Sequence, residues 1–169
     1  MARKVSTTKR IAFVAVMSAL ANILGYLSIP IGTTRIHFMQ LPIVLTALAF
    51  GAIAGGVVGF IGATVMALTL ATPNLFLLPG NALLGFLTGF FYSKLRNMKP
   101  PIAPQLIALI AALVIQFPYV YVTDVYLVSM PSPVVLYTIL PKLFIEDIIS
   151  LLIAHVILFR VDIAGALGG

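Results

Sequence analysis

The stretch from Ile102 to Val122 reads IAPQLIALIAALVIQFPYVYV and contains no charged residue. A helix of about 20 apolar residues, rising 1.5 Å per residue, crosses the roughly 30 Å hydrocarbon core of a bilayer. The composition agrees: 62% of the 169 residues are hydrophobic and 8% are charged, whereas soluble domains carry about 25% charged residues. The stretch therefore predicts a membrane-spanning helix in an integral membrane protein.

Five further apolar runs flank this stretch, separated by breaks rich in charge, proline or glycine. They cover residues 11–27, 38–50, 51–70, 81–92 and 134–159. We predict a single all-α transmembrane domain over residues 1–169, built as a bundle of six helices. The second run is short for a full span, and it meets the third at a tight corner near Phe50-Gly51.

The lysine and arginine positions predict the orientation, because cytoplasmic loops carry an excess of these residues. An inside N-terminus and C-terminus would give a basic cytoplasmic segment 1–10, a cytoplasmic loop 93–101, and outer loops 28–37, 71–80 and 123–133. Eight of the ten basic residues are then cytoplasmic: Arg3, Lys4, Lys9, Arg10, Lys94, Arg96, Lys99 and Arg160. The net charge of +6 then indicates topology and contact with anionic lipid, and no nucleic-acid partner is expected.

The N-terminal region also fits a second interpretation. A basic start, an apolar stretch and Ala19-Leu-Ala21 together match a secretory signal with an A-x-A cleavage site. The apolar run continues to Leu27, and its removal would leave five spans. We therefore expect this helix to be retained.

Small residues mark the expected helix contacts, since membrane helices associate through close backbone approach. Gly51, Gly55 and Gly59 recur every fourth residue in the third run, and Gly85-Phe-Leu-Thr-Gly89 repeats the spacing in the fourth. Both favour internal packing seams. In the first run Ala15 and Ala19 lie one turn apart, which fits either another internal seam or a docking strip for a partner helix.

Ionisable residues within a span are costly and are functional candidates by default. Lys142 and Glu146 are four residues apart in the sixth run and share one helical face. Asp147 points about 140° away from Lys142. Asp147 therefore needs its own partner, for which we expect Arg35, His37 or a ligand.

Further polar residues cluster on the predicted outer side. Together with the charged residues of run six they predict a pocket for a small, polar-headed, ring-bearing ligand. The full set of candidate binding residues is Arg35, His37, Gln40, Asn74, Asn81, Gln116, Tyr119, Asp124, Tyr137, Lys142, Glu146 and Asp147.

Motifs for catalysis or energy coupling are missing from the sequence. It contains no P-loop, no G-x-S-x-G and no H-E-x-x-H, and it has no cysteine. We expect no catalytic residues, no bound metal and no cofactor. A solute-binding protein of this size without an energy source would need a partner.

Several motifs resemble the substrate-binding (S) component of energy-coupling factor (ECF) vitamin transporters. They are the basic start, Ala15-Val-Met-Ser-Ala19, the segment GTTRIHFMQLP over 32–42, LAFGAIAGGVVG over 48–59 and LLPGNALLG over 77–85. The fourth resembles the family's Phe-Gly-Pro-x-x-Gly-x-x-x-Gly corner, although Ala52 stands where proline is common. The Arg35-Ile-His-Phe segment and Asn81 resemble the riboflavin-specific members.

The resemblance implies a six-helix domain in the cell membrane that binds one vitamin-like molecule from outside. It further implies docking on a transmembrane coupling subunit served by two ATPases, followed by toppling in the membrane to release the ligand inside. In the family an Ala-x-x-x-Ala strip contacts the coupling subunit, which assigns this role to Ala15 and Ala19. The loop at 28–37 would act as a lid over a pocket formed by the outer ends of helices four to six.

Two other functions stay open from the residues alone. One is a structural membrane protein that scaffolds a cell-envelope complex. The other is a proton-coupled carrier for a small solute, with Glu146 or Asp147 as the proton site.

Overall fold

The computed structural model describes residues 6–31, 34–70 and 73–161. Helices dominate this part of the chain, and one short hairpin interrupts them. The elements are α1 (Thr7–Tyr26), β1 (Ile29–Ile31), β2 (Thr34–Ile36), α2 (Gln40–Phe50), α3 (Ala52–Gly62), α4 (Thr64–Thr69), α5 (Leu77–Leu95), α6 (Ile102–Val122), α7 (Ser132–Val134) and α8 (Leu140–Arg160). Arg3 and Lys4 lie outside the described residues.

Within the described residues the helices form six rods, as the apolar runs predict. Run three becomes α3 followed by α4. A π-helical turn, Thr123–Leu127, extends α6, and a second one, Val135–Ile139, joins α7 to α8. Among the described residues, three helices are long and apolar enough to cross a membrane: Thr7–Tyr26, Ala52–Thr69 and Ile102–Leu127. The α2 helix has the right composition but is shorter.

The second rod lies at the centre of the bundle. Eight of its 11 residues are buried, and it packs against α3, α5 and α8. It ends at Gly51, whose φ of 85° reverses the chain directly into α3. The predicted corner at Phe50-Gly51 is therefore confirmed, and glycine suits it because this φ is unfavourable for residues with a Cβ.

Glycines form the predicted packing seam between α3 and α5. A Cβ on Gly85 would overlap the carbonyl oxygen of Gly55, and one on Gly59 would overlap the carbonyl oxygen of Asn81. A Cβ on Gly89 would come within 2.5 Å of the Ala52 nitrogen. The two backbones therefore touch along the seam, which is an internal contact as expected.

The break in run three has a cause in another helix. The Asn22 side chain of α1 donates to the Ile61 carbonyl at 2.9 Å and accepts from the Val65 amide at 2.8 Å. These two backbone groups would bond to each other in a continuous helix. Insertion of an amide side chain into this ladder separates α3 from α4.

Two segments differ from the expected loops. Residues 28–37 contain two antiparallel strands, the hairpin, with Ile29 opposite Ile36 and Pro30 opposite Arg35, because isoleucine and threonine in the strands favour extended backbone. In addition, α5 begins at Leu77 rather than at Asn81. Pro79 is tolerated there because amides in the first helical turn need no partner within the helix.

Candidate ligand-binding site

A cavity of about 180 Å³ lies at the hairpin end of the bundle. The residues after β2, the end of α4 and the facing ends of α5, α6 and α8 enclose it. We call it the inner cavity. Methionine, leucine, isoleucine, valine and phenylalanine side chains form its apolar wall, and its polar lining consists of His37, Gln40, Asn74, Asn81, Gln116, Tyr119, Thr123, Asp124 and Lys142.

Two amide side chains connect the wall to nearby backbone. Asn81 donates through Nδ2 to the Leu77 carbonyl at 2.9 Å, and Gln116 donates through Nε2 to the Gly80 carbonyl at 3.0 Å. Both bonds use an amide N–H, so the side-chain oxygens are left over. Gln116 Oε1 is buried, and no group in the described part of the chain hydrogen-bonds to it. It is an acceptor that a ligand in the cavity can satisfy.

A second polar group fixes the segment that leads into α5. Asn74 donates through Nδ2 to Asp124 Oδ1 at 3.0 Å and accepts from the Phe76 amide at 3.0 Å. Tyr119 donates from its hydroxyl to the Phe76 carbonyl at 3.1 Å. These bonds tie the segment before α5 to the hairpin end of α6 and give the cavity a defined wall.

A charged cluster joins the hairpin to α8. Glu146 is fully buried, and its Oε1 accepts from the His37 backbone amide at 2.7 Å and lies 3.6 Å from Lys142 Nζ. Its Oε2 accepts from Gln40 Nε2 at 3.3 Å. Lys142 Nζ also lies 3.3 Å from His37 Nε2. The carboxylate thus holds the chain after β2 against α8.

The His37 ring is neutral in this cluster. Burial, followed by the charge of Lys142, lowers the pKa of His37 from 6.5 to about 3. A neutral imidazole can accept a hydrogen bond from the Lys142 ammonium through Nε2, which fits their separation. In the described part of the chain, no group of three histidine or carboxylate side chains is positioned to hold a metal ion.

An outer cavity of about 660 Å³ adjoins the inner one under the hairpin. The two share Met66, Leu70 and Lys142 as lining residues. The outer cavity is also lined by residues 25–28 at the end of α1 and by Arg35 of β2. The two cavities are therefore neighbours at the hairpin end of the molecule, with Lys142 between them.

A sequence model described as the ECF-type riboflavin transporter, S component, matches residues 5–162. The chain belongs to this family. S components are membrane proteins that bind the substrate of an ECF transporter.

Two solved structures share the fold of this S component. An S component of a bacterial ECF transporter superposes with a TM-score of 0.71 at 20% identity, covering 92% of this chain and 96% of that chain. A biotin S component of an ECF-type ABC transporter superposes with a TM-score of 0.60 at 19% identity, covering 87% and 89%. No curated protein sequence matches the chain.

Eight of the twelve predicted binding residues of the S component line the inner cavity: His37, Gln40, Asn74, Asn81, Gln116, Tyr119, Asp124 and Lys142. Arg35 lines the outer cavity instead. Glu146 is not in the lining and supports its residues through the hydrogen bonds described above. Tyr137 is 80% exposed and lies outside both cavities.

Neither of the two protein partners predicted for Asp147, Arg35 and His37, bonds to it, and the third prediction, a ligand, stays a prediction. Asp147 is fully buried, and neither carboxylate oxygen has a hydrogen-bond partner among the described residues. Arg35 is exposed, while His37 is bound to Glu146 and Lys142. The helical rotation that separates Asp147 from Lys142 also turns it away from the hairpin.

Several cavity residues of the S component were not predicted from the sequence. Met39, Met66, Phe76 and Thr123 line the inner cavity, and their types are as common in lipid-facing helices as in binding sites. The sequence alone does not show whether such a residue faces lipid or a ligand. Thr123 directly precedes Asp124 in the π-helical turn, and this irregular turn has no clear sequence signal.

Proposed function

We propose that this S component captures riboflavin, or a closely related vitamin with a planar ring system, on the outer side of the cell membrane. The observation that carries this proposal is the pair of buried acceptors in the inner cavity. Gln40 Oε1 and Gln116 Oε1 have no hydrogen-bond partner among the residues that the structure describes, and both residues line the cavity. A ligand that donates to them would offset the cost of burying unpaired polar groups.

The remainder of the lining suits a flat heterocycle. Met39, Met66 and Phe76 contribute polarisable or aromatic surface, which packs well against rings. The ammonium of Lys142 and the amide of Asn81 add polar contacts at the edges. Such a mixture of apolar walls and a few polar groups is typical of small-molecule sites.

The two cavities together suggest how the ligand sits. The inner cavity alone is below the roughly 300–1,000 Å³ usual for ligand pockets, and the outer cavity adjoins it across Lys142. A ring system in the inner cavity with its polar chain in the outer one would use both. The hairpin would then cover the ligand as a lid, in agreement with the role expected for residues 28–37.

We also propose that both termini are cytoplasmic, because Arg10, Lys94, Arg96 and Lys99 lie at the end of the bundle opposite the hairpin. The inner cavity then opens towards the outside. Ala15 and Ala19 are exposed on α1, so they are not part of an internal seam. We assign them to the docking face for the transmembrane coupling subunit, which associates with two ATPases.

Riboflavin binding to purified protein tests the proposal, with quenching of flavin fluorescence as the readout. We expect a dissociation constant below about 1 μM. Gln116→Leu should weaken binding about tenfold or more, because loss of one buried hydrogen bond is worth roughly 1–2 kcal/mol. The matched control is Tyr137→Phe, which changes an exposed residue outside both cavities and should leave affinity unchanged.

A thermal unfolding curve of each variant without ligand separates binding from folding. If the folded parent binds neither riboflavin nor any member of a broad vitamin panel, the proposal is wrong. If Gln116→Leu keeps parental affinity while remaining folded, the inner cavity is not the binding site.

A further inference from the structure

The end of the bundle opposite the hairpin contains a separate polar cleft of about 520 Å³. It lies between the start of α1, the corner joining α2 to α3, and the last turns of α5. Its polar lining comes from Arg10, Tyr92, Ser93 and Arg96. None of these residues contributes to the ligand-binding cavities described above.

Arg10 is held in place on one side of this cleft. Its Nη2 donates to the Phe50 carbonyl at 2.8 Å, at the end of α2. A tilted ring contact between Phe13 and Phe50, with centroids 4.9 Å apart, packs α1 against the same corner. A guanidinium has five N–H donors, so one hydrogen bond to a carbonyl leaves others directed to the cleft.

Arg96 lines the opposite side from the end of α5, and within residues 6–31, 34–70 and 73–161 no carboxylate pairs with either arginine. The acidic residues in the described part of the chain are Asp124, Glu146 and Asp147. Asp124 bonds to Asn74 at the hairpin end, and the other two are buried in α8. The cleft also contains Gly51, where α3 starts without a side-chain cap, which adds to the positive potential.

We propose that this cleft binds the phosphate of an anionic phospholipid headgroup. Guanidinium groups bind phosphate through paired hydrogen bonds, and basic pockets between helices on the cytoplasmic side are suited to anionic headgroups. The proposal rests on the topology proposed above, which places the cleft at the cytoplasmic boundary of the membrane. Free inorganic phosphate carries the same anionic group and could bind the same two arginines.

The adjacent surface favours the lipid over free phosphate. An apolar groove between α3 and α5 is lined by Ile53, Gly56, Val57, Phe60 and Phe86. Ile53 follows Gly51 by two residues, and Phe86 precedes Gly89, another cleft residue, by three, so the groove starts within one helical turn of the cleft. A lipid would place its headgroup at the arginines and an acyl chain along this groove.

Native mass spectrometry of the full chain in neutral detergent tests the proposal. The probes are phosphatidylglycerol and phosphatidylcholine with identical acyl chains. We expect the parent to retain phosphatidylglycerol about tenfold more strongly than phosphatidylcholine. Removing both charges in Arg10→Gln/Arg96→Gln should weaken phosphatidylglycerol binding about 30-fold, or about fivefold for each arginine.

The matched control is Lys94→Gln/Lys99→Gln, which removes the same charge from the same end but outside the cleft. It should retain phosphatidylglycerol within about threefold of the parent, and both pairs should keep parental unfolding temperatures. Equal losses in the two pairs, or no preference between the lipids in the parent, would overturn the proposal. Displacement of phosphatidylglycerol by millimolar inorganic phosphate would assign the cleft to the free anion.

The cleft could also be a contact site for the coupling subunit, and co-purification with that subunit tests this alternative. If Arg10→Gln/Arg96→Gln binds phosphatidylglycerol normally but no longer retains the coupling subunit, the cleft is a protein interface and the lipid assignment is wrong. If the variant loses the lipid and still co-purifies with the subunit, the headgroup site is supported.

Discussion

Glu146→Gln should destabilise the protein by about 3 kcal/mol, and Lys142→Met should have a similar effect. The double variant should be within about 1 kcal/mol of the parent. The reason is burial: Glu146 is fully buried and the Lys142 side chain is 15% exposed. Removing one partner of a buried ion pair costs about 3–5 kcal/mol, whereas replacing both with neutral groups is often close to neutral.

The hydrogen bonds around Glu146 explain why the charge dominates this effect. A glutamine at position 146 keeps one carbonyl oxygen to accept from the His37 amide, which now lies 2.7 Å from the carboxylate. Its NH₂ group can donate to Gln40 if the Gln40 amide rotates, because Gln40 Oε1 has no other hydrogen-bond partner within the described ranges. The main loss is then the negative charge beside the Lys142 ammonium.

Far-UV circular dichroism during titration with a denaturing detergent measures these stabilities in mixed micelles. The coupling energy from the double-mutant cycle should be about 3 kcal/mol or more in magnitude. Purely additive losses, with the double variant about 6 kcal/mol below the parent, would refute the assignment of an interacting buried pair. Glu146→Ala provides a comparison, since it also removes the acceptor of the His37 amide and should be less stable than Glu146→Gln.

Three further predictions concern packing, docking and pH. Gly85→Ala should lower the free energy of unfolding by about 3 kcal/mol or abolish folding, because its Cβ would overlap backbone in α3. The control is Gly56→Ala, whose Cβ would meet a side chain at 3.3 Å. It should lower the free energy of unfolding by no more than about 1 kcal/mol in the same titration. Ala19→Trp should prevent co-purification with the coupling subunit while its affinity for the vitamin stays within about twofold of the parent. The control is Val156→Trp, which changes an exposed residue of α8 and should still co-purify. If both variants lose the coupling subunit equally, the docking strip on α1 is not specific. Folding lowers the pKa of His37 to about 3, so below about pH 6.5 the unfolded chain binds a proton that the folded chain does not, and the free energy of unfolding falls as the pH falls. Between about pH 7.5 and 5 the parent should therefore lose roughly 2 kcal/mol more stability than His37→Gln. Parallel stability profiles of the two proteins over this pH range would contradict the prediction.

The apolar runs could be located from the sequence because their cause is local. Uncharged stretches such as residues 102–122 require a helix in the membrane, where each backbone polar group must be satisfied within its own segment. The corner at Gly51 and the glycine seam were predictable for a related reason. A glycine repeat has few uses other than close backbone approach.

The hairpin and the break between α3 and α4 were not predictable in this way. The break depends on Asn22, which lies about 40 residues away in α1. An asparagine within an apolar helix indicates a polar contact but does not identify its partner. The hairpin comprises two three-residue strands, too short to give a periodic pattern.

The candidate site shows the same division. Polar residues within or beside apolar segments could be recognised from the sequence as binding candidates, because such residues are costly in a membrane. Eight of these candidates line the inner cavity. Sequence alone did not show that Glu146 supports the cavity residues from behind, or that Asp147 bonds to no side chain or backbone group among the described residues. Both outcomes depend on how α8 is rotated against α2, which the apolar pattern of α8 does not specify.

The sequence by itself determined that this chain is a helical membrane protein, where its long apolar segments lie and which residues permit close packing, since these properties follow from the transfer of each segment between water and lipid. Tertiary structure alone decided which polar side chains meet, because helices in lipid are positioned by interhelical contacts and hydrogen bonds rather than by hydrophobicity. The inner cavity exists because α5, α6 and α8 present their polar residues to the same space beneath the hairpin.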